Sequence, residues 1–174
     1  MDKLIPGLIT AGIVIVLFGI MWRSWRRRTA RDAEHALSPV PESFAPSDAY
    51  DIQYVATTRS GEPLERLALP GLGFRGVGTL SIAPAGASLA VTGERPAFLP
   101  AASLRSAHTA QVAIDRVVEP GGLVCIAWTL LDGSECDSYV RFRVSADQPR
   151  ALAAIRHLIP TDRARSDLES ESNA

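Results

Sequence analysis

The chain has 174 residues, 47% of them hydrophobic, and 18 Lys+Arg against 19 Asp+Glu leave a formal net charge of -1. That composition excludes wholesale disorder, a collagen-like repeat and a polytopic membrane protein. Two cysteines are too few for a disulfide scaffold or a four-cysteine zinc site. The balance conceals a partition, with +5 in residues 1–31, -4 in 32–49, 0 in 50–160 and -2 in 161–174.

Residues 4–22 carry no charge and are rich in Ile, Val and Leu. As a helix they reach roughly 28 Å, close to the roughly 30 Å hydrocarbon thickness of a bilayer, so the pattern predicts one transmembrane helix. Pro6 and Gly7 fall in its first turn, where a missing N–H breaks no intrahelical bond. Positive charge follows the run instead of preceding it, which excludes a cleaved signal peptide and orients the N-terminus outside and the rest in the cytoplasm. Residues 23–31 form a basic juxtamembrane segment. Trp22, Arg23, Trp25, Arg26, Arg27, Arg28 and Arg31 are the expected interface residues, two indoles for the headgroup layer and five guanidinium groups to fix topology.

Residues 32–49 hold Pro39, Pro41, Pro46 and four acidic side chains without a sustained period, and read as an acidic linker. From residue 50 the pattern changes to short alternating apolar runs separated by turn residues. Strands are predicted at 52–58, 77–82, 88–92, 97–99, 104–108, 112–118, 123–131 and 136–144. The last pair turns at Asp132-Gly133, a dipeptide that favours a tight hairpin. Such a turn sets Cys125 opposite about Val140 and Cys136 opposite about Thr129, roughly 13 Å apart and beyond disulfide reach. It also puts Val140, Phe142 and Val144 on a core face, with Tyr139, Arg141 and Arg143 on a wet one.

Asp147 is placed to cap a helix from about Gln148, with Leu152, Ile155, Leu158 and Ile159 as its apolar stripe and Pro160 as its stop. The sum is a mainly-β barrel over residues 50–160, closed by one C-terminal amphipathic helix. An acidic tail, 161–174, is read as disordered.

Residues 91–100 (VTGERPAFLP), 122–128 (GLVCIAW) and 151–155 (ALAAI) resemble the core strands and closing helix of bacterial pleckstrin-homology-like (PH-like) domains. Together with 54–58, 64–67 and 71–76, the order of parts resembles small single-pass actinobacterial membrane proteins that carry such a domain and are loosely described as export or transport proteins. The resemblance implies a non-catalytic, membrane-tethered adaptor, held in the bilayer by its helix, that recruits a protein partner at the inner face of the cell membrane. The alternative is an accessory subunit of a transport complex, its helix packed against a protein with more spans.

PH-like folds bind lipid headgroups or peptides, which makes Arg59, Arg66 and Arg75 candidate anion or partner contacts, although Glu62 and Glu65 lie among them. Residues 71–76 match Gly-x-Gly-x-x-Gly, but Pro70 precedes them and a hairpin follows, where a dinucleotide site needs a strand and then a helix N-terminus. His35, His108 and His157 have no partner at ligand spacing, and Asp132, Glu135 and Asp137 read as a solvated turn. No catalytic residue, cofactor, metal or nucleic-acid partner is expected.

Overall fold

The chain divides into two compact units, Met1–Glu34 and His35–Ala174. The computed structural model describes residues 4–33, 37–110, 112–113, 116–117 and 122–160; within 4–33 it describes the side chains of Ile9, of 11–24 and of Arg26, and within 112–117 the backbone alone. The acidic tail lies outside the described residues.

The first unit is helix α1 (Leu4–Ala33), which continues through the arginines after Trp22. Arginine is a good helix former, so the charge does not interrupt it. Its described side chains are exposed, with apolar ones such as Ile15 and Phe18 at 70% and 63%. The transmembrane reading is corrected at this point: among the described residues no helix is long and apolar enough to cross a membrane. The single-pass topology, the cell-membrane localisation with an outside N-terminus, the bilayer contact and the transport-subunit alternative all depended on that span and are not carried forward. The headgroup role expected for Trp22, Arg23, Trp25, Arg26, Arg27, Arg28 and Arg31 depended on it too; the side chains of Trp25, Arg27, Arg28 and Arg31 lie outside the described residues.

The second unit is built on β1 (Asp48–Arg59), β2 (Glu62–Arg66), β3 (Gly76–Ala83), β4 (Gly86–Val91), β5 (Ala97–Pro100), β6 (Leu104–Ala110), β7 (Val112–Ala113), β8 (Arg116–Val117), β9 (Leu123–Thr129) and β10 (Glu135–Phe142), followed by helix α2 (Gln148–Leu158). Eight strands form one antiparallel sheet in the order β5-β4-β3-β1-β10-β9-β6, with β2 added beside β1, and β7 and β8 pair separately. β1 joins the two halves: 48–54 pair with β3 and 52–59 with β10, and the register shifts between Tyr54 and Ala56. A bulge there lets one strand serve both halves and bends the sheet over a single core.

The expectation of a closed barrel is corrected as well. β5 and β6 are opposite ends of the sheet and do not pair. Pro100 ends β5 without an N–H to donate, and a 3-10 turn, Ala101–Ser103, carries the chain across the gap. The architecture is therefore an open two-layer sandwich. Each of its ends is covered. On β5, Ser38 makes a single bridge to Phe98, and the Phe44 ring meets the Phe98 ring edge-on with centroids 5.5 Å apart. On β6, the Arg156 Nε donates to the Ala107 carbonyl at 2.7 Å. Capping exposed strand edges in this way prevents pairing with other chains.

The core is assembled from alternate positions of the strands, including Ile52, Leu80, Leu89, Leu99, Ile126 and Val140, each 0% exposed, and from Ala151 and Ile155 of α2. Each of the Leu, Ile and Val side chains contributes about 1.5–3 kcal/mol by leaving water. Leu37, within the stretch read as linker, also packs on this core. Asp147 does not cap α2 through its side chain; a 3-10 turn, Ser145–Asp147, leads into the helix instead. Val144 is 53% exposed, outside the core face expected for it.

Candidate binding surface

Between β2 and β3 the chain reads Leu67-Ala68-Leu69-Pro70-Gly71-Leu72-Gly73-Phe74-Arg75. Its first part is an apolar plug. Leu67, Leu69 and Leu72 are buried in the main core, and the Leu67 N–H donates to the Thr57 carbonyl at 2.8 Å. Leu69 to Leu72 is a tight turn, closed by the Leu72 N–H on the Leu69 carbonyl at 2.9 Å, with Pro70 second and Gly71 third at φ +81. That arrangement is the type II turn, whose third position requires positive φ. A Cβ on Gly71 would also overlap the Arg95 carbonyl oxygen. The glycine pattern therefore serves close backbone approach, and the strand that follows it, β3, offers no helix N-terminus to a pyrophosphate.

The chain then turns outward. Phe74 is 66% exposed and Arg75 is exposed beside it, while Gly76 is already paired with Tyr54 on β1. A buried leucine on one side and a strand ladder on the other hold this two-residue tip. Val77, next along β3, and Leu64, on β2, are also exposed apolar side chains.

Beneath the plug runs a buried polar chain. The Tyr54 hydroxyl lies 2.9 Å from both Thr57 Oγ1 and the Leu72 carbonyl oxygen. Thr57 Oγ1 lies 2.7 Å from Ser138 Oγ, which accepts the Trp128 Nε1–H at 2.9 Å. Burial pushes the Tyr54 phenol well above its ordinary value, so it stays protonated.

The three candidate arginines stand in different surroundings. Arg59, at the end of β1, faces Glu65 at 3.6 Å, an exposed pair worth little. Glu65 in turn holds the Glu62 carboxyl above its usual range, first through a hydrogen bond and then through its charge. Arg66 folds back on β1, with one terminal nitrogen donating to the Val55 carbonyl at 3.4 Å and its Nε buried without a partner. Arg75 projects from the tip. The β1–β2 hairpin thus brings Arg59 and Arg66 onto adjoining strands, and Arg75 enters from the β3 side, next to the residue that pairs with Tyr54. β2 and the plug had no signal in the strand periodicity, because Glu62-Pro63-Leu64-Glu65-Arg66 is nearly all exposed.

The remaining candidates carry no chemistry. Cys136 lies opposite Trp128 and Cys125 opposite Tyr139, one residue away from the expected register. The turn is the reason: the Gly133 N–H closes on the Leu130 carbonyl at 3.0 Å and Leu130 pairs with Ser134, a three-residue loop with Gly133 at φ +85 in place of a two-residue one. Both thiols are free and buried, Cys136 in the main core and Cys125 in a small second cluster with Leu123 and Tyr139. Burial pushes Cys125 up to about 12 and raises Cys136 also, so neither supplies a thiolate. Tyr139, expected on a wet face, is 7% exposed in that cluster. Among the described residues no group of three His, Cys, Asp or Glu could hold a metal ion. A shallow recess of about 20 Å³ opens at the gap between β5 and β6, bordered by Leu37, Ser38, Phe98, Pro100, Trp128 and Leu131. It holds a water-sized group and is far below the hundreds of Å³ of a small-molecule site.

The model of one protein family, described as bacterial PH domain-like, matches residues 35–156. No curated protein matches the chain. Domains of this kind are generally non-catalytic binding modules for proteins or lipids, and no enzyme family is indicated.

Proposed function

We propose that this chain, which belongs to the bacterial PH domain-like family, is a non-catalytic adaptor that binds a protein partner through the Phe74–Arg75 tip and the adjoining face of β2. The observation that supports this is the contrast at the tip: a 66% exposed phenylalanine and an exposed arginine stand one glycine beyond a leucine that is 0% exposed. A folded chain gains nothing from an aromatic ring in water. Interfaces take most of their energy from a few aromatic and arginine anchors, and an anchor already held in place loses little entropy on binding. Leu64 and Val77 enlarge the apolar area, and Arg75, with Arg59 and Arg66 on the hairpin, favours a partner whose apolar contact is bordered by carboxylates.

Photo-crosslinking tests the reading. A benzoylphenylalanine in place of Phe74, in the full chain in its native cell, should give one discrete protein adduct, and the same probe at the exposed Asp51 of β1 should not. Adding Arg75→Glu should weaken the Phe74 adduct about ten-fold or more, the scale of a lost anchor. Indistinguishable adduct patterns from the two positions would count against the surface.

A further inference from the structure

All four contacts of the buried polar chain are hydrogen bonds at once in only one arrangement of its protons. Four contacts join five groups: Trp128 Nε1, Ser138 Oγ, Thr57 Oγ1, Tyr54 Oη and the Leu72 carbonyl. The indole can only donate and the carbonyl can only accept. Tyr54 has one proton, and Leu72 needs it; Thr57 must then donate to Tyr54, and Ser138 to Thr57, while Ser138 accepts from Trp128. Each hydroxyl accepts once and donates once. Reversing any one of them leaves two donors or two acceptors face to face, so all four bonds form together only in this order.

Its two ends reach different parts of the surface. Leu72 anchors the plug that carries Phe74 and Arg75, whereas Trp128 borders the recess at the β5–β6 gap, beside Leu37 and Ser38. We propose that this hydrogen-bond chain is a coupling element, through which the Phe74–Arg75 tip and the recess beside Trp128 respond to one another. A displaced Leu72 carbonyl turns the Tyr54 proton toward Thr57, and the proton order at Thr57 and at Ser138, the indole's acceptor, must reverse. Conversely, a group that seats at the mouth of the recess and shifts Trp128 alters the hold on the plug. That the tip is a binding surface rests on the function proposed above; the coupling does not, and it is measured with no partner present.

The full chain labelled with 5-fluorotryptophan, its Trp128 resonance assigned by Trp128→Phe, reads one end, and amide hydrogen exchange at Leu72 reads the other. Tyr54→Phe, made at the plug end, should move the Trp128 fluorine resonance. Ser138→Ala should speed exchange of the Leu72 amide about ten-fold, the scale of one hydrogen bond left unmade in the interior. The double variant should add little to either single one. Ser88→Ala, which removes another buried hydroxyl outside the chain, should do neither. An unmoved Trp128 resonance in Tyr54→Phe, a Ser138→Ala effect confined to β9 and β10, or fully additive effects would overturn the proposal. If Ser138→Ala does not fold, Thr57→Val, which keeps the shape and removes the hydroxyl, reads the same two ends.

Discussion

Asp137 is a carboxylate that the fold tolerates and does not use. Burial raises its pKa, and the nearby His108 and the Gly61 N–H only partly offset that. A folded-state value above the unfolded one means that the fold prefers the neutral acid. The stabilising part is present below the unfolded value, about pH 4, and is lost as pH rises through the folded value. At pH 7 the charge is therefore a net cost. Asp137→Asn, which keeps an acceptor for Gly61, should raise the unfolding free energy read from urea denaturation at pH 7 by less than about 1 kcal/mol, because solvent still screens the group, and the gain should vanish at pH 3. At this scale the sequence was a poor guide. Thr57 and Ser138 are polar residues in strands, which ordinarily face water, yet both are 0% exposed; only the meeting of β1, β9 and β10 supplies their partners.

The elements themselves were more legible, since period-two alternation and turn chemistry act within a few residues. β3, β4, β9, β10 and α2 stand within a few residues of the expected bounds. What escaped was β2, whose five residues do not alternate, and the plug, whose leucines at 67, 69 and 72 keep no single period. The hairpin after β9 shows how a small local choice spreads: one extra residue at Gly133 moves the whole cross-strand register by one. Two glycines with the same backbone sign separate the local from the tertiary requirement. Gly133 has open space around its Cβ position, whereas Gly71 faces the Arg95 carbonyl. Gly133→Ala should cost about 1 kcal/mol, the left-handed penalty alone. Gly71→Ala should cost more than about 2 kcal/mol, since a clash adds to the same penalty, and urea unfolding compares them directly.

For the molecule as a whole, the sheet is open and its β5 end depends on the segment 37–46 that precedes it. Ser38 bridges β5, Phe44 packs on Phe98, and Leu37 reaches the core. The family match begins at residue 35, within one position of the unit boundary, which is consistent with this stretch belonging to the domain. A chain starting at residue 35 should stay monodisperse in sedimentation velocity. A chain starting at residue 47 uncovers the β5 edge and should shift toward dimers and larger species, as unprotected strand edges do. Equal sedimentation of the two would show that the segment is dispensable.

Periodicity, composition and turn residues were enough to place a mainly-β domain with a closing helix in the second part of the chain, because those signals are local and each strand carries its own. They also sufficed to read the glycines of 71–76 as a turn, since Pro70 precedes them and a strand follows. The open edge between β5 and β6, the plug beneath Phe74 and the proton order from Trp128 to Leu72 were decided by tertiary structure alone. Each depends on residues far apart in sequence, whose meeting no local pattern records. The reading of residues 4–22 as a span marks the same boundary from the other side: hydropathy measures what a segment prefers, and among the described residues no helix is both long and apolar enough to cross a membrane.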